Sequence, residues 1–126
     1  MKVVEVMDEN ITTIRSDVSI GKAIERILEE NIHFFVVMDG EESVGVLTVT
    51  DCLDFYLNND HGKIVEDYMT PHILYISEDK ELKDAAKFFK KSKVDNLPVV
   101  EELEGERNII GILNRFDVLQ AFRDVN

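Results

Sequence analysis

The sequence has one cysteine, two prolines, six glycines and no tryptophan in 126 residues. A lone thiol, Cys52, excludes an intrachain disulfide and suits a reducing compartment. So little glycine and proline excludes collagen-like and low-complexity chains. Basic side chains are scarce too: 14 Lys and Arg face 26 Asp and Glu, a formal net charge of −12. A surface this negative repels phosphodiester backbones and anionic bilayers, so neither nucleic acid nor membrane is an expected partner. No apolar run approaches the ~20 residues that span a bilayer. The opening, Met1 to Asp8, has no apolar signal-peptide core, so the expected location is cytoplasmic. What is there, 44% hydrophobic and 32% charged residues, fits a soluble globular domain.

The chain repeats itself. Sliding it by 62 positions lays Val3 on Val65, Met7 on Met69, Ile14 on Ile76, Asp17 on Asp79, Ala23 on Ala85 and Val37 on Val99. Past a loop four residues longer in the second copy, the shift becomes 66, and Gly45 meets Gly111, Leu47 meets Leu113 and Asp51 meets Asp117. Such self-similarity is the signature of one structural unit used twice. The copies run over 1–62 and 63–126 and differ in charge: 13 acidic and 4 basic side chains in the first, 13 and 10 in the second. The excess in the second is mainly Lys80, Lys83, Lys87, Lys90, Lys91 and Lys93, whose spacing predicts the solvated face of a helix.

Each copy opens with an extended piece, Ile11 to Ile14 or Ile73 to Ile76. An amphipathic helix follows, with Ile20, Ala23, Ile24, Ile27 and Leu28 at i, i+3, i+4, i+7 and i+8, and Leu82, Ala85, Ala86 and Phe89 in the second copy. Ser19, or Asp17 before it, is the expected N-cap of the first helix and Asp79 that of the second. Phe34 to Met38 and Leu97 to Val100 are apolar runs too short for helices and read as buried strands. Asp39-Gly40 marks a tight turn, and Glu101 to Asn108 a longer acidic loop. Strands Val44 to Leu47 and Ile109 to Leu113 come next, then closing helices from near Asp51 and Asp117. The expected class is α+β, a β-α-β-β-α unit twice. One such unit alone buries only ~60% of its unfolded surface, so the copies are expected to pack sheet to sheet as one module with pseudo-twofold symmetry and clefts between them.

The stretch Gly45-Val46-Leu47-Thr48-Val49-Thr50-Asp51 sets a hydroxyl and a carboxylate at a helix start. Helix N-termini present free N–H groups and a positive dipole end suited to phosphate, while a carboxylate can accept from two ribose hydroxyls. The same residues also serve with nothing bound, Thr48 or Thr50 capping the helix and Asp51 favouring its first turn. The second copy keeps the glycine and the acid in Gly111-Ile112-Leu113-Asn114-Arg115-Phe116-Asp117.

These paired units, the two Gly-x-x-(Thr/Asn)-x-x-Asp segments, Met69-Thr70-Pro71 at a unit start and Leu97-Pro98-Val99-Val100 before the hairpin resemble a tandem cystathionine β-synthase (CBS) domain pair, or Bateman module, over essentially the whole chain. The resemblance implies a non-catalytic regulatory module that binds an adenosine-containing ligand (AMP, ADP, ATP or S-adenosylmethionine) in clefts between the units and acts on a partner protein. It implies no obligatory cofactor, Mg²⁺ accompanying ATP by neutralising phosphate charge. It makes Asp51 and Asp117 ribose-binding acids and Thr48 a phosphate-side hydroxyl. One cleft would unite Thr48 and Asp51 with Thr70, His72, Ile73 and the backbone around Asn96; the other, Asn114 and Asp117 with Asn10, Ile11, His33 and Phe34. Arg115 is a candidate phosphate cation, but its expected place is facing solvent or paired with an acid. A homodimer is expected too, because the closing helices carry more apolar residues than one pair can cover.

Two departures weaken the second site: Asn114 stands where the family has Thr or Ser, and Val36 in the first copy stands where the second has Pro98. Asn114 and the net charge favour the rival reading, a ligand-free dimerisation or scaffolding module. Catalysis is not expected. No Gly-x-Ser-x-Gly is present, Cys52 has no sequence-level partner base, and His33, His61 and His72 lack the spacing of zinc ligands. His61 reads as part of a linker turn, and Cys52 as a small buried apolar residue of the first closing helix.

Overall fold

A computed structural model describes residues 1–60, 62–71 and 74–125. His61, His72 and Ile73, and with them the linker-turn reading of His61 and the binding roles expected of His72 and Ile73, lie outside the described residues.

The chain forms two compact units, one of Thr12–Ile73 and one joining Met1–Ile11 to Leu74–Asn126. The first holds strand β1 (Thr13–Arg15), helix α1 (Ile20–Glu30), the hairpin β2 (Phe34–Asp39) and β3 (Glu42–Thr48), helix α2 (Val49–Leu57) and the short helix α3 (Val65–Tyr68). The second holds a single 3-10 turn (Val3–Glu5), β4 (Ile76–Ser77), α4 (Leu82–Lys91), β5 (Asn96–Leu103), β6 (Glu106–Asn114) and α5 (Arg115–Val125). The β-α-β-β-α order is therefore present twice, with a helical turn added at each head that hydrophobic periodicity does not reveal. Each sheet has three strands, ordered β1-β2-β3 and β4-β5-β6, the first pair parallel and the second antiparallel.

Packed units and sequence repeats do not share boundaries. Opening segment 63–71, the head of the second copy, packs in the first unit, where Val65 and Tyr68 join Ile14, Ile20, Phe35 and Leu47 in the core. Met1–Ile11 packs in the second, where Val3 joins Ile76, Phe89, Leu97 and Leu113. In both units the opening segment ties itself to the first N–H of the central helix: Ile20 N donates to the Lys63 carbonyl at 2.9 Å, Leu82 N to that of Met1 at 2.8 Å. Ser19 caps α1 as expected, its Oγ accepting from Lys22 N. Asp79 does not cap α4. Glu81 occupies the N-cap without a side-chain bond, because its backbone is bridged to Lys2 and Met1 supplies the acceptor.

The expected acidic loop Glu101 to Asn108 is also corrected. Both strands run on through it, pairing Glu101 with Asn108, Glu102 with Arg107 and Leu103 with Glu106. Glu104 (φ 53°) and Gly105 (φ 81°) close it as a two-residue turn with both φ positive, the sign pattern of a type I′ hairpin. The four extra residues thus lengthen a hairpin instead of forming a loop. Pro98 shortens the neighbouring strand. In the first unit Val36 N donates to the Thr12 carbonyl at 2.9 Å, ahead of β1; Pro98 has no N–H for that bond, and β4 starts at Ile76, one residue later than its counterpart.

Candidate functional site

Both glycines of the repeated motif are explained by packing. Gly45 and Gly111 are buried on β3 and β6, where an opening segment crosses the strand. Thr70 exchanges backbone bonds with Val46 (Thr70 N to Val46 O, 2.9 Å; Val46 N to Thr70 O, 3.0 Å), and Asp8 does the same with Ile112 at 2.8 Å in each direction. A Cβ on Gly45 would stand 2.6 Å from the Thr70 carbonyl oxygen, and one on Gly111 2.5 Å from Met7 Sδ. Only a residue without a side chain admits the crossing. Both hairpins also carry a register irregularity next to this point, between Val37 and Met38 and between Val99 and Val100.

The crossing delivers Thr70 to the start of α2. There Thr48 is the N-cap: its Oγ1 accepts from Asp51 N at 3.4 Å. Asp51 returns the contact, its Oδ2 accepting from Thr48 N at 2.9 Å and from Thr48 Oγ1 at 3.2 Å. Thr70 Oγ1 donates to the other oxygen, Oδ1, at 3.4 Å. Burial pushes the Asp51 carboxyl above the usual range near 3.8, helped by the Asp54 charge and opposed by the Thr48 and Thr70 bonds. The result is a half-buried carboxylate at a helix N-terminus, ringed by two hydroxyls. Its chemistry is that of an acceptor for hydroxyl donors beside N–H groups that favour an anion. Phe34, opposite Thr48 in register, is half-buried on the adjoining strand.

Counterparts in the second unit are arranged differently. Asn96 and Asn114 face each other in register, and Asn114 Nδ2 donates to Asn96 Oδ1 at 3.1 Å. Asn114 Oδ1 accepts from Phe116 N at 2.7 Å, and Asp117 Oδ2 accepts from Asn114 N at 3.2 Å. Arg115, a candidate phosphate cation, is an ion-pair partner: its Nε lies 3.1 Å from Asp95 Oδ1 and its guanidinium 5.8 Å from the Phe116 ring centroid. Asn10 is exposed, its N–H donating to Asp8 Oδ1 at 2.9 Å, and Ile11 is half-buried. His33 is exposed, with Nε2 3.1 Å from Asn31 Oδ1. Asp8, which stands where the first unit has Thr70, escaped the sequence reading. The signal was available in the 62-residue shift, which lays Asp8 on Thr70.

Cys52 lies one residue past Asp51 and is buried in the first core. Burial, with the Asp51 charge behind it, pushes its thiol up to about 11, so the reactive thiolate is scarce at neutral pH. Among the described residues, no three His, Cys, Asp or Glu side chains converge as a metal site, and no helix is long and apolar enough to cross a membrane.

The CBS domain model matches twice, over residues 3–58 and 65–124. The chain belongs to the CBS domain family. Among solved structures it resembles CBSX2, from Arabidopsis thaliana, in complex with AMP: 30% identity, TM-score 0.84, covering 98% of this chain and 97% of that one. The CBS domain pair of MJ0100, in complex with 5′-methylthioadenosine and S-adenosyl-L-methionine, shares the fold at TM-score 0.85 and 24% identity, with 100% and 98% of the two chains covered. Curated relatives include the uncharacterised protein MJ1225 of Methanocaldococcus jannaschii, 28% identical over 118 residues, and that organism's inosine-5′-monophosphate dehydrogenase, 31% identical over 127. These matches take in 92% and 95% of this chain but only 41% and 24% of the relatives' lengths. Two tandem α+β CBS units, each built on a three-stranded sheet, are thus the architecture of this chain.

Proposed function

We propose that this CBS pair is a non-catalytic regulatory module that binds an adenosine nucleotide at the Thr48–Asp51–Thr70 corner and passes its occupancy to a partner chain. The observation that carries the reading is the carboxylate of Asp51, half-buried at the N-terminus of α2 and served by two hydroxyls. A ribose can replace those hydroxyls as donor, and the free N–H groups of the first turn of α2 suit a phosphate. The AMP complex of CBSX2, 30% identical along nearly the whole of both chains, supports AMP as the first ligand to try. No cofactor is required for this role, and Mg²⁺ enters only with ATP, as a counter-charge to its phosphates.

The module acts as a homodimer in this proposal. Helix α2 exposes Leu53, Tyr56 and Leu57, and α5 exposes Phe116, Leu119 and Val125, each more than half accessible. An apolar surface of this kind is a common mark of an interface. Sedimentation at micromolar concentration is expected to show a dimer; a 14.5 kDa species alone overturns this part.

Titration calorimetry with AMP, ADP, ATP and S-adenosylmethionine tests the ligand. At a hundred times Kd, a bound ligand raises stability by about 2.7 kcal/mol, readily seen as a shift in Tm. A ligand-free scaffold is the second reading, favoured by the mutual satisfaction of Thr48 and Asp51 in the cap. It is the correct one if the chain dimerises and none of the four ligands produces heat.

A further inference from the structure

Resting on the adenosine reading above, we infer that the chain takes one ligand, at Asp51, and that the Asn114–Asp117 corner is a closed structural cap, with Thr70 and its counterpart Asp8 deciding the difference. The two corners have the same backbone. Each lies where a hairpin strand runs into a closing helix, beside an opening segment seated on a glycine, through matched bridges Val46↔Thr70 and Ile112↔Asp8. Side chains on these matched positions have opposite chemistry.

In the first unit the side chains of Thr48 and Thr70 are both directed at the carboxylate. Thr48 Oγ1 and Thr70 Oγ1 each donate to Asp51, at 3.2 and 3.4 Å. Both are hydroxyls, so each can rotate away, accept from an incoming donor and leave the carboxylate to a ribose. In the second unit Asn114 spends its oxygen on Phe116 N and its amide on Asn96. Opening that corner breaks two bonds, one that holds the end of β6 to the first turn of α5 and one that joins β6 to β5 across the hairpin. Thr70's counterpart by backbone position is a carboxylate, Asp8, which has no proton to donate to Asp117, adds a negative charge to the crossing segment and accepts from Asn10 N at 2.9 Å. The nearest cation on the motif, Arg115, is paired with Asp95.

The experiment is calorimetric stoichiometry with AMP on the full chain, with the fold of each variant checked by circular dichroism. The wild-type chain is expected to bind one AMP per chain. Asp51→Asn is expected to lose that binding by at least tenfold, while Asp117→Asn leaves both stoichiometry and Kd within twofold. The double substitution Asp8→Thr with Asn114→Thr is expected to raise the stoichiometry to two. Two AMP per wild-type chain, falling to one in Asp117→Asn, overturns the inference and leaves the adenosine reading standing. A double variant that folds yet still binds one AMP overturns the assignment to Asp8 and Asn114. If the wild-type chain binds none of AMP, ADP, ATP and S-adenosylmethionine in the same assay, the adenosine reading fails, and this inference with it.

Discussion

The two units share a backbone plan and part ways at the corner where each hairpin meets its closing helix. Around Asp51 the neighbours are hydroxyls, Thr48 and Thr70, which donate and accept with equal ease. Beside Asp117 stands Asn114, tied to Asn96 and Phe116, and the crossing segment carries Asp8 at the backbone position of Thr70. The scaffold elements that repeat are those the crossing demands: Gly45 and Gly111, Met69 and Met7, Leu47 and Leu113. The comparison teaches that a duplicated unit is kept alike where backbone passes backbone. At the corner beside the crossing its side chains are free to diverge, as Thr48 and Thr70 against Asn114 and Asp8 show.

The sharpest way to break this comparison is to truncate both acids. Asp51→Ala is expected to cost AMP affinity about 1.5–3 kcal/mol, roughly 10- to 150-fold, the worth of a charge-assisted hydrogen bond. Asp117→Ala is expected to leave calorimetric affinity nearly unchanged. Equal losses erase the difference between the corners.

Substituting the glycines probes the shared part instead. Gly45→Ala and Gly111→Ala both force a Cβ into the crossing segment, and overpacking of this kind costs about 1–3 kcal/mol. Gly45→Ala is expected to be the worse of the two, because its nearest neighbour is the Thr70 carbonyl oxygen at 2.6 Å, whereas at Gly111 it is the movable Met7 Sδ at 2.5 Å. Urea unfolding of the two variants ranks them; a milder Gly45→Ala contradicts the crossing argument.

A smaller effect is expected from pH. Burial raises the Asp51 carboxyl above 3.8, so between that value and its folded pKa the folded chain binds more protons than the unfolded one. The Asp51 contribution to stability therefore falls as pH rises through this window and is constant above it. Asp51→Asn is expected to remove the step. Ribose hydroxyls favour the ionised carboxylate, so AMP affinity moves the other way, weakening as pH falls through the same window. Unfolding and binding profiles from pH 3.5 to 7 check both signs, and an AMP affinity indifferent to pH argues that Asp51 is not the acceptor.

The smallest expected effect is the dependence on phosphate number. With a net charge of −12 and Arg115 committed to Asp95, each further phosphate gains little without a divalent cation. Metal-free ATP is expected to bind within tenfold of AMP, and the gap is expected to shrink as salt screens the repulsion. Much tighter metal-free ATP binding would require a cationic pocket that the side chains bonded to Asp51, those of Thr48 and Thr70, do not supply among the described residues.

Much of this molecule is legible in its sequence. The repeat, the order of strands and helices, the Ser19 cap, the burial of Cys52 and the placing of Thr48 and Asp51 at a helix start all follow from periodicity and short-range capping rules, which need only neighbours a few residues apart. That each opening segment meets the other copy's motif was expected only through the family resemblance; the packing of Met1–Ile11 with the second copy and of segment 63–71 with the first rests on contacts such as Met7 on Gly111, which join residues that no local pattern relates. The tertiary structure alone decided that Met1 supplies the acceptor at the head of α4, displacing Asp79 from its expected cap, and that Pro98 shortens β4 by withholding one N–H. Asp8 is a mixed case: the 62-residue shift lays it on Thr70, but its contact is tertiary. Its place opposite Ile112 is set by a hydrogen-bonded crossing more than a hundred residues away along the chain, and hydrogen bonds at that separation are written in the fold.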